Sequence, residues 1–232
     1  MKLKKVVITG ADDKIKISDL QALSREFPFV EWGILYGSHV GSRFPSESWI
    51  MDLGPGFKPT IPLSFHLCGQ PLRDLLAQGE TPLYPALMML FKRIQLNFHG
   101  EPQAVNKDAF KDGLLCLDRE IIFQIDGGMG RELYGNALTW GVNVVPFFDL
   151  SHGAGVLPEK WDAPMAPWGG YAGGLGPDNL QEQLPAILKA TTGNGDIWID
   201  LETHARTDGD LDINKVKTCL QIASKYVQVT EE

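Results

Sequence analysis

Short apolar and β-branched runs recur along the 232-residue chain, and nearly every one is followed by a stretch with helical spacing of its apolar residues. There are eight such runs: KKVVITG, VEWGILYG, IPLSFHLCG, RIQLNFHG, REIIFQIDG, NVVPFFDLS, GGYAGGL and DIWIDLETH. Eight alternations of strand and helix predict an α/β fold, a single (β/α)8 TIM barrel domain over residues 1–232. A doubly wound open sheet is the alternative, because periodicity does not reveal whether a sheet closes. The shortest helical stretch is the Pro/Trp-rich LPEKWDAPMAPW, after the sixth run.

Composition narrows the class of function. The net charge is -8 and the sequence contains no cluster of basic residues, so neither nucleic acid nor a membrane surface is expected as the main partner. The three cysteines are widely spaced, and no apolar stretch reaches the length of a membrane span. A cytoplasmic protein is expected, and its oligomeric state stays open between monomer and homodimer.

The polar positions inside the strands are unusual for a barrel. In RIQLNFHG, the apolar Ile94, Leu96 and Phe98 must face the helices, which turns the alternate residues toward the lumen. Barrel lumens are normally filled by Val, Ile and Leu, and buried polar groups cost free energy unless they are paired or serve a ligand. The same alternation over all strands predicts these lumen residues: Ser64, His66, Cys68, Gln95, Asn97, His99, Gln124, Asp126, Asp149, Ser151, Asp200, Glu202 and His204.

The histidines point to one end of the barrel. All five, at positions 39, 66, 99, 152 and 204, fall at or just beyond the carboxyl ends of predicted strands. In a barrel those ends form a single mouth, where barrel enzymes carry their chemistry. We therefore expect a functional site at this mouth.

A glycine-rich run, GGYAGGLGPDNL, occupies residues 169–180 and leads into a predicted helix. Bare backbone amides at the start of a helix can bind an anion. The same glycines also suit a loop that needs positive φ angles. From these residues alone, both interpretations stay open.

Several segments together resemble the phosphoribosylanthranilate isomerases, a family of (β/α)8 barrels. GILYGSHVGSRFPSES is similar to that family's Ser-x-Arg-Tyr-x-Ser, which implies that Arg43 binds a carboxylate. IQLNFHGEP is similar to its Gln-Leu-His-Gly, and FFDLSHGAG resembles the segment of its general acid, which implies that role for Asp149. YAGGLGPDNL resembles Ala-Gly-Gly-Leu-Asn-Pro-Glu-Asn, which implies phosphate binding at Gly173, Gly174 and Leu175.

Two departures argue against that family's own reaction. The family's general base is a cysteine on strand one, and VVITGADD has Thr9 there, a poor base at neutral pH. Asp12 or Asp13 is the candidate replacement. The family's strand eight ends in small residues that complete the phosphate site. Here IDLETHARTD brings Asp200 and Glu202, which would repel a phosphate unless Arg206 offsets them.

Other chemistries find less support in the strands. Lys5 and Lys92 sit at strand starts, on the far rim, which disfavours Schiff-base chemistry, and no G-x-G-x-x-G follows the first strand. Acid/base chemistry remains, with an isomerase or lyase acting on a small anionic, phosphorylated sugar or nucleotide-like substrate. The catalytic candidates are Asp149, Asp126, His99, Glu202 and Asp12. The substrate-binding candidates are Arg43, His66, Asn97, Gly173, Gly174, Leu175, Arg206 and His204.

Two alternatives stay open. No cofactor is predicted, but His66, His99, Asp126, Glu202 and His204 are residue types that could surround one divalent ion in a metal-dependent hydrolase. The other alternative is a binding protein that kept the pocket without the strand-one base. Trp161 and Trp168 in the insert after strand six are expected to form a lid or a stacking wall beside the site.

Overall fold

Eight parallel strands close into a barrel in the computed structural model of the chain, in the order β1 to β8. The structure describes residues 2–38, 40–80, 85–98, 104–125, 127–149, 151, 154–193 and 195–228. Pairing of β1 with β8 closes the sheet, which confirms the (β/α)8 barrel over the open sheet. The strands are β1 (Lys2–Thr9), β2 (Val30–Tyr36), β3 (Leu63–Leu67), β4 (Arg93–Leu96), β5 (Glu120–Gln124), β6 (Val144–Phe148), β7 (Trp168–Tyr171) and β8 (Asp196–Leu201).

Helices surround the barrel and cover its outer face. They are α1 (Ile17–Glu26), α2 (Glu47–Asp52), α3 (Gly69–Gln78), α4 (Pro85–Met88), α5 (Lys107–Leu117), α6 (Gly128–Thr139), α7 (Leu180–Ala190) and α8 (Ile213–Ala223). Short 3-10 turns occupy Pro55–Phe57 and Thr203–Ala205, and a small hairpin, β9 (Arg206–Thr207) and β10 (Asp210–Leu211), precedes α8. None of the helices in the described ranges has the length and apolar character needed to cross a membrane.

The helix expected at LPEKWDAPMAPW does not form. Residues 154–167 between β6 and β7 contain only bends and irregular backbone. The stretch contains Pro158, Pro164 and Pro167, and each proline removes one of the N–H donors that a helix needs.

The alternation of side chains on β4 agrees with the prediction. Ile94, Leu96 and Phe98 are at most 1% exposed and belong to the core between barrel and helices. Gln95 and Asn97 point the other way, into a cavity at the carboxyl end of the barrel. The apolar residues thus fix which polar residues reach the lumen.

A network of ion pairs fills the amino end of the lumen. The Arg93 guanidinium bonds Glu31 at 2.8 Å and Glu120 at 2.6 Å, and the Lys5 ammonium bonds the second oxygen of Glu31 at 2.6 Å. Arg93 also lies over the ring of Trp198, with its guanidinium carbon 4.1 Å from the centroid. Lys5 is therefore engaged in ion pairing at the far end of the barrel from the cavity, as expected for a lysine at a strand start.

Above this network lies an apolar layer. It is formed by Val7, Ile122, Val145, Phe147 and Trp198, all buried. Phe147 and Trp198 stack with an interplanar angle of 3°. This layer separates the ion pairs from the polar residues at the carboxyl end and forms the floor of the cavity.

Candidate functional site

A small cavity of about 50 Å³ opens at the carboxyl end of the barrel. Its walls come from the ends of β3 to β8 and from the loops that follow β6, β7 and β8. The inward orientation predicted from the alternation is confirmed for nine polar residues that line it: His66, Gln95, Asn97, Gln124, Asp149, Ser151, Asp200, Glu202 and His204. The glycine-rich run also contributes, through Gly173, Gly174 and Leu175.

His66 is the most deeply buried titratable group of this wall, at 1% exposure. Its Nδ1 lies 3.3 Å from the amide nitrogen of Gln95, which can only donate, and its Nε2 lies 3.1 Å from the Ser64 hydroxyl. Burial lowers the pKa of His66 to about 3. The imidazole is therefore neutral and carries its proton on Nε2.

Cys68, just after β3, does not line the cavity and does not take the place of the strand-one base. Burial raises the pKa of the Cys68 thiol to about 12. Its Sγ accepts a hydrogen bond from Asn97 Nδ2 at 3.3 Å. A thiol with that pKa stays protonated at neutral pH and is a structural partner of Asn97 rather than a nucleophile or base.

Asp149 follows β6 and is 9% exposed. Its Oδ1 accepts hydrogen bonds from the Ser151 N–H at 3.0 Å and from the Ser151 hydroxyl at 2.7 Å. These bonds fix the plane of the carboxyl group and use only one of its oxygens. Asp149 therefore caps the turn at Ser151 through Oδ1 and also lines the cavity.

Asp200 lies on β8 at 7% exposure and accepts a hydrogen bond from the Thr9 hydroxyl at 2.7 Å. Burial is the largest effect on it and raises the pKa of Asp200 well above its usual value. The Thr9 bond opposes this rise, while the nearby charges of Glu202, Asp149 and Glu31 add to it. The site thus holds a carboxyl group that tends to keep its proton.

Arg43 pairs with Glu202, which lines the cavity, whereas Arg43 itself does not. Its Nη1 lies 2.7 Å from Glu202 Oε1, and its backbone adopts a positive φ of 75°. The Arg43 N–H donates to Asp12 Oδ2 at 2.9 Å. Arg43 is therefore anchored at both ends at the edge of the site, and four of its five side-chain N–H groups form no hydrogen bond with a described residue.

Asp12 and Arg206 take places that differ from those expected. The second Asp12 oxygen accepts the Lys14 N–H at 3.1 Å, and the Arg206 guanidinium lies 3.7 Å from Asp12 while bonding the carbonyl of Gly10 at 2.7 Å. Neither residue lines the cavity. Because both carboxylate oxygens of Asp12 already hold backbone amides of the surrounding loops, we do not retain Asp12 as a proton-transfer candidate. The alternative candidate, Asp13, is exposed, and its carboxylate accepts hydrogen bonds from the N–H and the hydroxyl of Ser46.

The glycine turn after β7 leaves two amides bare. Gly173 and Gly174 have φ angles of 122° and 61°, which side chains rarely adopt. Within the described part of the chain, no hydrogen bond uses the N–H of either glycine. Asn179, just before α7, bonds the Gly174 carbonyl at 2.7 Å and the Gly176 N–H at 3.0 Å, and so holds the turn in this shape.

The segment 154–157 after β6 lies against this turn and bridges the site. The His204 Nε2 lies 2.8 Å from the Gly155 carbonyl, which joins the loop after β8 to the loop after β6. A Cβ atom on Gly174 would come within 2.6 Å of the Leu157 nitrogen. Ligand pockets for sugar-sized molecules measure several hundred Å³, so this segment must move for such a ligand to enter.

The tryptophans of the insert do not form the expected wall. Trp168 is the first residue of β7, at the opposite end of the barrel, where its ring centroid is 4.6 Å from that of Trp198. Trp161 is 7% exposed, packs edge-on against Tyr171 and donates to Gln183 at 3.0 Å. Trp161 therefore anchors the insert, and neither ring lines the cavity.

Four residues singled out from the sequence, His39, His99, Asp126 and His152, lie outside the described ranges. Among the residues inside them, no group of three His, Cys, Asp or Glu side chains is arranged to hold a metal ion. Two features of the described site were missed. The sequence predicts Asp200 as an inward-facing residue that would repel a phosphate and Thr9 as a poor base, but it does not pair the two, because their contact joins two strands at opposite ends of the sequence.

One solved structure that resembles the chain is N-(5'-phosphoribosyl)anthranilate isomerase from Pyrococcus furiosus. The TM-score is 0.54 and the sequence identity 13%, over 95% of this chain and 98% of that chain. No family model matches the chain, and no curated protein is significantly similar to it in sequence. At this identity the likeness concerns architecture, and it confirms the predicted resemblance at that level. The chain therefore shares the closed (β/α)8 barrel of that isomerase along nearly its whole length.

Proposed function

We propose that the protein is an acid/base enzyme, an isomerase or lyase, that acts on a small sugar-like substrate carrying a phosphate or a similar anion. The observation that carries the proposal is that three carboxyl groups, of Asp149, Asp200 and Glu202, line one cavity together with Gly173 and Gly174, whose N–H groups have no partner among the described residues. The carboxyl groups supply proton transfer, and the amides supply an anion site. The shared fold supports this in general terms, since the solved structure is an isomerase of a phosphoribosyl compound.

The wall between these two features suits hydroxyl groups. Gln124 is 2% exposed, and its Oε1 has no hydrogen-bond partner among the described residues. A buried acceptor of this kind costs free energy unless a ligand donates to it. Asn97 and Ser151 add further donors and acceptors to the same cavity. A polyhydroxylated carbon chain with an anionic end would satisfy this pattern.

The test begins with the purified protein. Mass spectrometry identifies any small molecule that co-purifies, and deuterium uptake from D2O is then followed by NMR for that molecule and for a panel of aldose and ketose phosphates. Uptake at carbon reports proton abstraction even where the net reaction is unknown. We expect at least one phosphorylated compound to exchange.

Asp149→Asn tests the residue that we propose as the main proton-transfer group. It keeps the shape of the side chain but removes the titrating group, so exchange should fall about a hundredfold or more while phosphate affinity stays nearly unchanged. Asp112→Asn, on the exposed face of α5, is the matched control. Tight binding of a sugar phosphate without any exchange would instead identify a binding protein and refute the catalytic proposal.

A further inference from the structure

Asp200, like Asp149, forms no ion pair with a described residue, whereas two other carboxylates of the lumen each have a cationic partner. Glu202 pairs with Arg43, and Glu31 pairs with Arg93 and Lys5. Within the described ranges, no lysine, arginine or histidine forms an ion pair with Asp200. A buried carboxylate without a cation is costly, and such a group normally keeps its proton.

Thr9 fixes the direction of this carboxyl group. The Thr9 hydroxyl, 1% exposed, donates to Asp200 Oδ1 at 2.7 Å, and Oδ1 is the only Asp200 side-chain oxygen that bonds a described residue. Gly33 provides the room, since a Cβ there would lie 2.3 Å from the Thr9 oxygen and 2.7 Å from the His66 ring. Oδ2 is left for the cavity that Asp200 lines.

The titratable groups that act on Asp200 come from three strands. Glu202 follows β8, Asp149 follows β6, Glu31 lies on β2, and all three are carboxyl groups. From β1 the contact is the hydroxyl of Thr9, which does not titrate. Every one of the three charges therefore favours the protonated form of Asp200.

We infer that Asp200 is a second catalytic residue of the cavity, the acid that gives a proton to a substrate oxygen while Asp149 removes a proton from carbon, with Thr9 as its positioning residue. The inference rests on the proposed function and gives it a substrate class, an α-hydroxy carbonyl compound. Two carboxyl groups in different protonation states can act as base and acid in one step.

The proton transfers balance without a further reactant. The Asp149 carboxylate takes the proton from the carbon that bears the hydroxyl group, and the carbonyl oxygen takes the proton of Asp200, which leaves an enediol. Asp149 then returns its proton to the former carbonyl carbon. The other enediol hydroxyl gives its proton to Asp200 and becomes the new carbonyl. Both residues end as they began, and the carbonyl has moved by one carbon.

The first measurement needs no substrate. Carbon-13 labelling of aspartate carboxyl groups gives a resonance for Asp200, assigned by its loss in Asp200→Asn. We expect this resonance to report a protonated carboxyl group at a pH where the exposed aspartates are already ionised. An Asp200 that titrates together with the exposed aspartates would overturn the inference alone, whatever the exchange assay gives.

The second measurement uses the exchange assay on the panel of sugar phosphates. Asp200→Asn should reduce exchange at least about a hundredfold. Thr9→Val removes a hydrogen bond that favours the ionised form of Asp200, so the pH above which the exchange rate falls should move to a higher value. Thr9→Ser keeps the hydroxyl and should restore the wild-type position of this basic limb. A purely structural role of Thr9 would lower the rate without moving that limb. If Asp200 proves protonated but the wild type exchanges nothing, the proposed function itself fails and Asp200 is a buried structural acid.

Discussion

At the scale of the residue, the site depends on small residues that leave room for neighbouring side chains and on hydrogen bonds that fix the orientation of the polar groups. Gly33 admits the Thr9 hydroxyl and the His66 ring side by side. Ser151 holds one oxygen of Asp149, and Gln95 selects the tautomer of His66. The alternation of side chains predicted that His66, Gln95, Asp149 and Ser151 face inward. It could not predict which partner each one meets, because those contacts join different strands.

The glycine turn gives the most direct prediction at this scale. In Gly174→Asp, the added carboxylate would stand beside the bare amides and repel an anion, so binding of inorganic phosphate should be lost in calorimetry. Gly174→Ala is the matched control, because its Cβ meets the same Leu157 nitrogen, at 2.6 Å, without adding a charge.

The unmodified protein gives an independent check on the same turn. In a phosphate titration followed by 15N NMR, the amide resonances of Gly173 and Gly174 should shift, while those of Gly56 and Gly141 should stay in place. Phosphate binding that leaves the two turn amides unmoved would refute the anion site at this position.

At the scale of the element, the segment between β6 and β7 differs most from its prediction. Its aromatic and apolar residues gave it a helical pattern, but its three prolines leave too few donors for helical hydrogen bonds. Instead it is held at separate points, at Trp161 through Gln183 and at Gly155 through His204. Val156 and Leu157 between these anchors remain 62% and 37% exposed. Such a segment can move at one end while the other stays attached.

His204 is expected to control the end nearest the cavity. His204→Ala removes the bond to the Gly155 carbonyl, so backbone order parameters of residues 155–157 should fall from about 0.85 toward 0.6. Those near Trp161 should stay high, because that anchor is untouched. His204→Gln keeps a donor on the side chain and serves as the control. Unchanged order at residues 155–157 in the alanine variant would mean that packing, rather than this bond, holds the segment.

At the scale of the whole molecule, the strand pattern was sufficient to predict eight alternating strands and helices, and it placed the polar residues at the carboxyl ends of the strands. The hydrophobic alternation on β4 alone decides which face of that strand is buried against helices. The closure by β1 and β8 and the ion pairs of Lys5, Glu31 and Arg93 could not be predicted, because both depend on the register between strands. For the same reason Asp12 and Arg206 appeared as site residues, although the fold directs them into loop contacts.

Burial of polar groups across the lumen predicts how the stability of the molecule depends on pH. His66 is unprotonated in the folded protein down to about pH 3, whereas in the unfolded chain it takes up a proton near pH 6.5. The contribution of His66 to the free energy of unfolding is therefore fully present above pH 6.5. As the pH falls from there to about 3, the free energy of unfolding decreases by at most ~5 kcal/mol. Asp200 has the opposite effect. Because its pKa is raised in the folded protein, its contribution to the free energy of unfolding is lost as the pH rises through that pKa.

Because the two effects oppose each other, a difference between variants is needed to separate them. Unfolding free energies from urea titrations should show His66→Gln less stable than the wild type at neutral pH, since the imidazole packs against Gln95 and Ser64 near the charges of Glu31 and Arg93. As the pH falls below 6.5, this difference in unfolding free energy between wild type and variant should shrink and then reverse, because glutamine has no proton to take up in the unfolded chain. Val7→Ala, which removes no titrating group from the lumen, should keep a constant gap over the same range. A constant gap for His66→Gln as well would mean that His66 gains a proton in the folded protein as readily as in the unfolded chain, so that the cavity wall is far wetter than its burial indicates.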